Sequence, residues 1–241
     1  MEYISNAILY LRQTGNANDV ALPDIQQRKI GDCALMATLA AMTTTPEGRT
    51  ILRNAVVENK NDKGVVTSYT VTLHQPESHW FRPTSFEEVK VTVDCAMPCG
   101  HALPATEGKD NELWPLVIEK AYAQFVGGYN TLNRGEHADA SMQILTGKPA
   151  ASMALRDYSA AQLKRDLADG KLLVFETKGG LSAETSPHLR GLHAYSVTGT
   201  DVRDGRLYVT LNNPWGSSQP DSIPYDQFAK WFSNVDAGSA R

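Results

Sequence analysis

The sequence predicts an α+β chain of two lobes, a helix-rich one over 1–150 and a β-rich one over 151–241. Three observations predict this. An alanine-rich run starting at Cys33 has helical spacing, a second such run spans 111–128, and beyond 150 alternating strand signals dominate, separated by turn residues. With 241 residues, 41% of them hydrophobic, the chain can bury a substantial core.

In order along the chain, Leu35, Leu39 and Met42 share a helix face, and Thr44-Thr45-Pro46 ends that run. The segments "SYTVTLHQ" and "EEVKVTVD" alternate as strands do. "NELWPLVIEKAYAQFVGG" is helical, with Pro115 suited to a first turn and a Gly-Gly stop. Ser159 caps a short helix that Gly170 closes, and "LLVFET", "HAYSVTGTDV" and "RLYVTLNN" read as strands. Asp204-Gly205 marks a tight hairpin between the last two. No internal repeat or low-complexity linker interrupts this order.

The formal charge of −4 and a pI near 5.9, without a basic cluster, exclude nucleic acid and anionic membrane as expected partners. The N-terminus lacks the basic and apolar regions of a secretory signal, and no segment approaches a membrane span. Three cysteines rule out a disulfide framework, although Cys95 and Cys99 could pair; a reducing, cytoplasmic location is the expectation.

Cys33 stands in the first turn of its helix, where unpaired backbone N–H groups favour a thiolate. The plain alternative is a small buried hydrophobe. Of six histidines, only His193 opens a strand leading into a hairpin, and Asn213 lies at the hairpin's far end. A base at His193, oriented by Asn213 and shielded by Trp215, would make Cys33 a nucleophile. Against this, Asn213 opens an Asn-Pro turn and His193 caps a strand. An ideal two-residue loop also sets Asn213 opposite Ser196, roughly 10 Å from His193 at about 3.3 Å per residue. A bulge or a longer loop must correct that offset.

The ordered segments "DIQQRKIGDCALMATLAAM", "NELWPLVIEKAYAQFVGGYNTL", "MQILTG", "LHAYSVTG" and "NNPWG" resemble the protease core of the calpain family. The resemblance implies a papain-like two-lobed cysteine protease fold, with Cys33, His193 and Asn213 as a catalytic triad. It also implies Gln27 as an oxyanion donor, Trp215 as a shield, and Gly135 and Gly191 as substrate-binding positions. The chemistry needs no cofactor, but the family binds calcium, and Asp24 and Glu112 match acidic positions of its first site. Calcium wants six to eight oxygens, so backbone carbonyls would have to complete the set; a turn aspartate and a helix N-terminal glutamate are the plain readings. The second calcium site and the regulatory domains find no counterpart. Two departures stand out: Ala34 replaces the tryptophan after the nucleophile, and the glycine strip is reduced to Gly135. The C-x3-C-x-H cluster of Cys95, Cys99 and His101 matches no standard zinc spacing and reads as a surface loop.

The resulting expectation is a thiol endopeptidase acting on a flexible protein or peptide segment. A papain-fold deamidase or acyltransferase shares its thioester chemistry, and a non-catalytic binding module shares its fold. A catalytic domain of a secreted toxin or effector, with an inhibitor or immunity partner, is a further expectation.

Overall fold

Ten successive residues, Ala34 to Thr43, are buried in the helix α1 (Cys33–Thr43), and a helix without a polar face must be packed on all sides. In the computed structural model, which describes residues 2–3, 9, 20–97, 112–181 and 188–241, this helix is the centre of the larger core. Thr45 caps the next helix, α2 (Pro46–Ala55), its hydroxyl accepting from the Gly48 amide at 3.0 Å. Pro46 therefore has two effects: it stops α1 and opens α2.

Strands β2 (Val56–Lys60), β3 (Val66–His79) and β4 (Arg82–Asp94) form an antiparallel sheet in the first half of the chain, and β1 (Glu2–Tyr3) pairs with β5 (Ala96–Met97). Then come α3 (Trp114–Phe125), α4 (Tyr129–Leu132) and α5 (Ala138–Thr146), the last closed by Gly147 in the left-handed region at φ 63°.

The second half adds β6 (Ala150–Ala154), α6 (Ala160–Ala168), β7 (Leu172–Thr177), β8 (Ala194–Arg203), β9 (Arg206–Asn212), β10 (Ile223–Pro224), α7 (Phe228–Trp231) and β11 (Phe232–Gly238). Its strands run antiparallel in the order β10-β9-β8-β7-β11-β6. The fold is α+β, as the sequence predicts, with a sheet also in the helix-rich part.

Strand β7 joins the two cores. Leu172 and Val174 belong to the larger core centred on α1, while Leu173 and Phe175 face a second core with Tyr195, Val197, Phe228 and Phe232. A strand buried on both faces has no reason to alternate apolar with polar residues, and "LLVF" does not. Helix α1 lies against β7 and β8 and also against α2 and α5. The N-terminus of α1 thereby reaches the sheet where β7 ends and β8 begins.

Candidate active site

Cys33 is the first residue of α1, partly buried, on the wall of a cleft of ≈ 470 Å³. Two backbone N–H groups favour the thiolate there, that of Ala194 at the start of β8 and that of Ala34 in the helix's first turn. Burial outweighs them, and with the charges of Asp32 and Glu176 it pushes the thiol up rather than down. The sequence-based expectation of a depressed thiol fails because it counts the helix terminus and not the desolvation.

His193 lines the same cleft just ahead of β8. Its backbone is fixed against the end of β7: its N–H donates to Thr177 Oγ1 at 2.9 Å, and its carbonyl accepts from the Thr177 amide at 2.9 Å. The hairpin has the expected two-residue turn, with Arg203 opposite Arg206 and positive φ at Asp204 and Gly205. A bulge between Val197 and Gly199 then shifts the register, so that Ser196 pairs with Asn212 rather than Asn213. Asn213 is carried one residue closer to His193, and the side chains span the remainder: His193 Nε2 and Asn213 Oδ1 are 2.9 Å apart.

That contact also fixes the tautomer. Asn213 Oδ1 accepts from the Trp215 backbone N–H at 3.1 Å, and Asn213 Nδ2 donates to the Ser218 carbonyl at 3.2 Å, so the amide has one orientation. His193 must then carry its proton on Nε2, which leaves Nδ1 as the basic nitrogen. Burial lowers the His193 pKa most; the bond to Asn213 opposes this and the charge of Arg190 adds to it. Trp215 tilts over the imidazole with centroids 4.9 Å apart, and the Arg190 guanidinium lies 5.5 Å from the Trp215 ring. Gln219 is a member the sequence reading missed. Its side-chain amide accepts from Asn213 N at 2.7 Å and donates to Asn213 O at 3.0 Å, clamping the turn. A Gln six residues beyond an Asn-Pro turn is not by itself a signal.

The other named residues divide. Gly135, at φ 78°, lines the cleft together with Leu192, which is 81% exposed. Gly191 is outside the lining; a Cβ there would come within 3.1 Å of Lys178 O and Leu181 N, so it serves a close backbone approach. Gln27 is also outside it: its Nε2 donates to Ile30 O at 2.8 Å, while its backbone N–H donates to Pro214 O at 2.7 Å. Asp24 and Glu112 share a small separate pocket with Gln26 and Arg28. Asp24 Oδ2 accepts from Ala21 N and Trp114 Nε1, and burial pushes its carboxyl up. The two carboxylates suit a hard cation, and Arg28 competes with it for them. Of the cysteine-histidine cluster, Cys95 donates to Val66 O at 3.7 Å, and Cys99 and His101 lie outside the described residues.

Beside Cys33 lie two buried carboxyls: Asp32, which the sequence places directly before the thiol, and Glu119, which the sequence reading does not single out. Asp32 is 2% exposed, and burial pushes it up to about 7. Glu119 on α3 is pushed up to about 9, by burial first and then by the Asp32 charge.

Comparison with known proteins extends this picture. The profile "Calpain family cysteine protease" matches residues 10–238. The chain is 31% identical over 226 residues to calpain-type cysteine protease DEK1 of Zea mays, covering 86% of this chain and 10% of that protein. It is 29% identical over 233 residues to Calpain clp-1 of Caenorhabditis elegans (89% and 28%), and 28% identical over 227 residues to Calpain-8 of Homo sapiens (86% and 30%). The chain thus spans only between 10% and 30% of the length of these relatives.

Proposed function

We propose, on the premise that this chain belongs to the calpain family of cysteine proteases, that it hydrolyses peptide bonds with Cys33 as nucleophile, His193 as base and Asn213 as orienting group. The observation that carries the reading is the fixed tautomer: a cleft holding a thiol also holds an imidazole whose free nitrogen is Nδ1.

The residues divide the work as follows. His193 Nδ1 takes the Cys33 proton as the thiolate attacks the carbonyl carbon of the scissile bond. The developing oxyanion is met by the Cys33 backbone N–H and by the Gln27 side chain, which must first turn away from Ile30 O. One such donor is worth about two to three powers of ten in rate. Imidazolium returns its proton to the leaving amine, and water, deprotonated by His193, cleaves the thioester. Trp215 keeps solvent from the His193–Asn213 bond. Burial pushes the thiol up and the imidazole down, which favours the uncharged pair over the ion pair and leaves the proton to be moved as Cys33 attacks.

Calcium is the second element of the proposal. Asp24 and Glu112 would hold it, and when bound it supplies a positive charge tying the turn before Gln27 to the start of α3. Calcium is expected to raise the melting temperature of wild type and not of Asp24→Asn; equal melting with calcium and with chelator removes this element.

The deciding experiment is mass spectrometry of an unfolded protein after incubation with the chain, with Cys33→Ala as control. New N-termini that need Cys33 support the protease. Glutamine converted to glutamate with release of ammonia, at intact peptide bonds, would replace it with a deamidase.

A further inference from the structure

Glu176 is the penultimate residue of β7 and lines the cleft with Cys33. In the register with β11 it faces Asn234, while Asp236 faces Val174, so Glu176 and Asp236 are diagonal neighbours on one face of the sheet. Asp236 is fully buried beside Ser152 and Glu176, and burial, with the Glu176 charge, pushes its carboxyl up to about 8, so it holds a proton against Glu176. His137, on the cleft rim, binds Glu176 Oε2 through Nδ1 at 2.6 Å, and one polar atom from each of the three lies within 4.8 Å of the others. Among the described residues no lysine or arginine pairs with Glu176 or Asp236. Asp139 adds its charge to Asp236, and Glu136 also lines the cleft. Arg134 is the cation on this wall, and it forms no ion pair with either carboxylate.

With the proton of the pair on Asp236, the charge stays on Glu176, the carboxylate that lines the cleft beside Cys33, and a largely buried carboxylate there favours a cationic partner. A zinc-type ion fits less well: two ligands at about 2.0–2.2 Å from zinc stand roughly 3.4 Å apart, wider than the His137–Glu176 contact, which would have to break. A guanidinium or ammonium can approach Glu176 from the cleft with that contact intact, while the protonated Asp236 holds the Glu176 carboxylate from behind by a hydrogen bond. The cleft volume of ≈ 470 Å³ admits a long side chain beside the thiol.

We propose that Glu176, backed by Asp236 and held by His137, receives an arginine or lysine side chain of the substrate next to the scissile bond. The inference rests on the peptidase reading and names its substrate class: segments carrying a basic residue near the cleavage point.

The test has two readouts. In the first, kcat/KM is measured for fluorogenic peptides that differ only in one flanking residue, Arg, Lys or Leu. Arg and Lys should exceed Leu by about tenfold or more, the worth of one hydrogen bond to a charged group, and Glu176→Gln should collapse the ratio. The second readout needs no turnover: agmatine should protect Cys33 from iodoacetamide in wild type, and Glu176→Gln should need about ten times more of it. If no peptide is cleaved, the peptidase reading fails and agmatine protection still decides this one. A preference for Leu, or protection that is absent or equal in Glu176→Gln, overturns the proposal. So does protection by zinc alone that is lost in His137→Ala, a change at an exposed side chain.

Discussion

Around Asn213 every polar group is engaged: both side-chain atoms, the backbone N–H and the carbonyl all have partners, with Gln219 closing the turn. Beside Cys33 burial dominates instead. Asp32 is 2% exposed beside a Glu119 that its charge helps to keep protonated; burial, with the Glu136 charge, outweighs the Gln27 side chain, the partner that favours its carboxylate. The difference separates two kinds of preparation. The base is held in place by hydrogen bonds that cost nothing further during reaction. The thiol sits on a foundation whose stability depends on protons, in surroundings that keep it uncharged.

The comparison can be broken at five positions, from the largest effect down. Cys33→Ala should abolish turnover, and His193→Ala should lower kcat by roughly 10⁴-fold or more; full activity in the latter would end the triad assignment. Asn213→Ala should cost roughly 10²-fold in kcat, because a misdirected imidazole still titrates. Gln219→Ala should cost about tenfold in kcat with KM unchanged, and Gln219→Glu, which keeps the acceptor for Asn213 N, should recover part of it. An unchanged Gln219→Ala would mean that Asn213 holds its place without the clamp.

The fifth position is Asp32, the thiol's foundation, read by melting against pH. Unfolded, Asp32 loses its proton near 4; folded, it keeps it up to about 7. Between those values the native state holds the extra proton, so stability falls as pH rises through the window. Asp32→Asn removes this term, and at pH 8 it should melt several degrees above wild type, roughly 5 °C, with little difference near pH 4. Parallel melting curves for the two proteins across that range would show that Asp32 is compensated after all.

Much of this was legible in the sequence because local chemistry announces itself. The spacing after Cys33, the Ser159 cap and the Asp204-Gly205 turn each have a short-range cause, and each element forms there. The residues of the proposed triad stand in ordered segments, and an ideal hairpin sets His193 and Asn213 out of register. The resolution of that offset was not readable, since the bulge after Val197 depends on packing across the sheet. The same holds for α2, hidden behind a proline taken only as a stop, and for β11, whose pairing with both β6 and β7 is long-range. Glu119, Glu176 and Asp236 were equally silent, because a carboxylate in a sequence carries no mark of being buried.

Strand β7 has a practical consequence for anyone who divides this protein. Its two faces complete two different cores, so a cut at the apparent boundary near residue 150 leaves the N-terminal fragment without Leu172 and Val174 to close its interior. The C-terminal fragment would expose those same side chains to water. Expressed separately, the pieces should aggregate, and mixed during refolding they should rescue one another. Halves that regain a cooperative melting transition only on reunion would show that this one strand makes the two interiors a single folding unit.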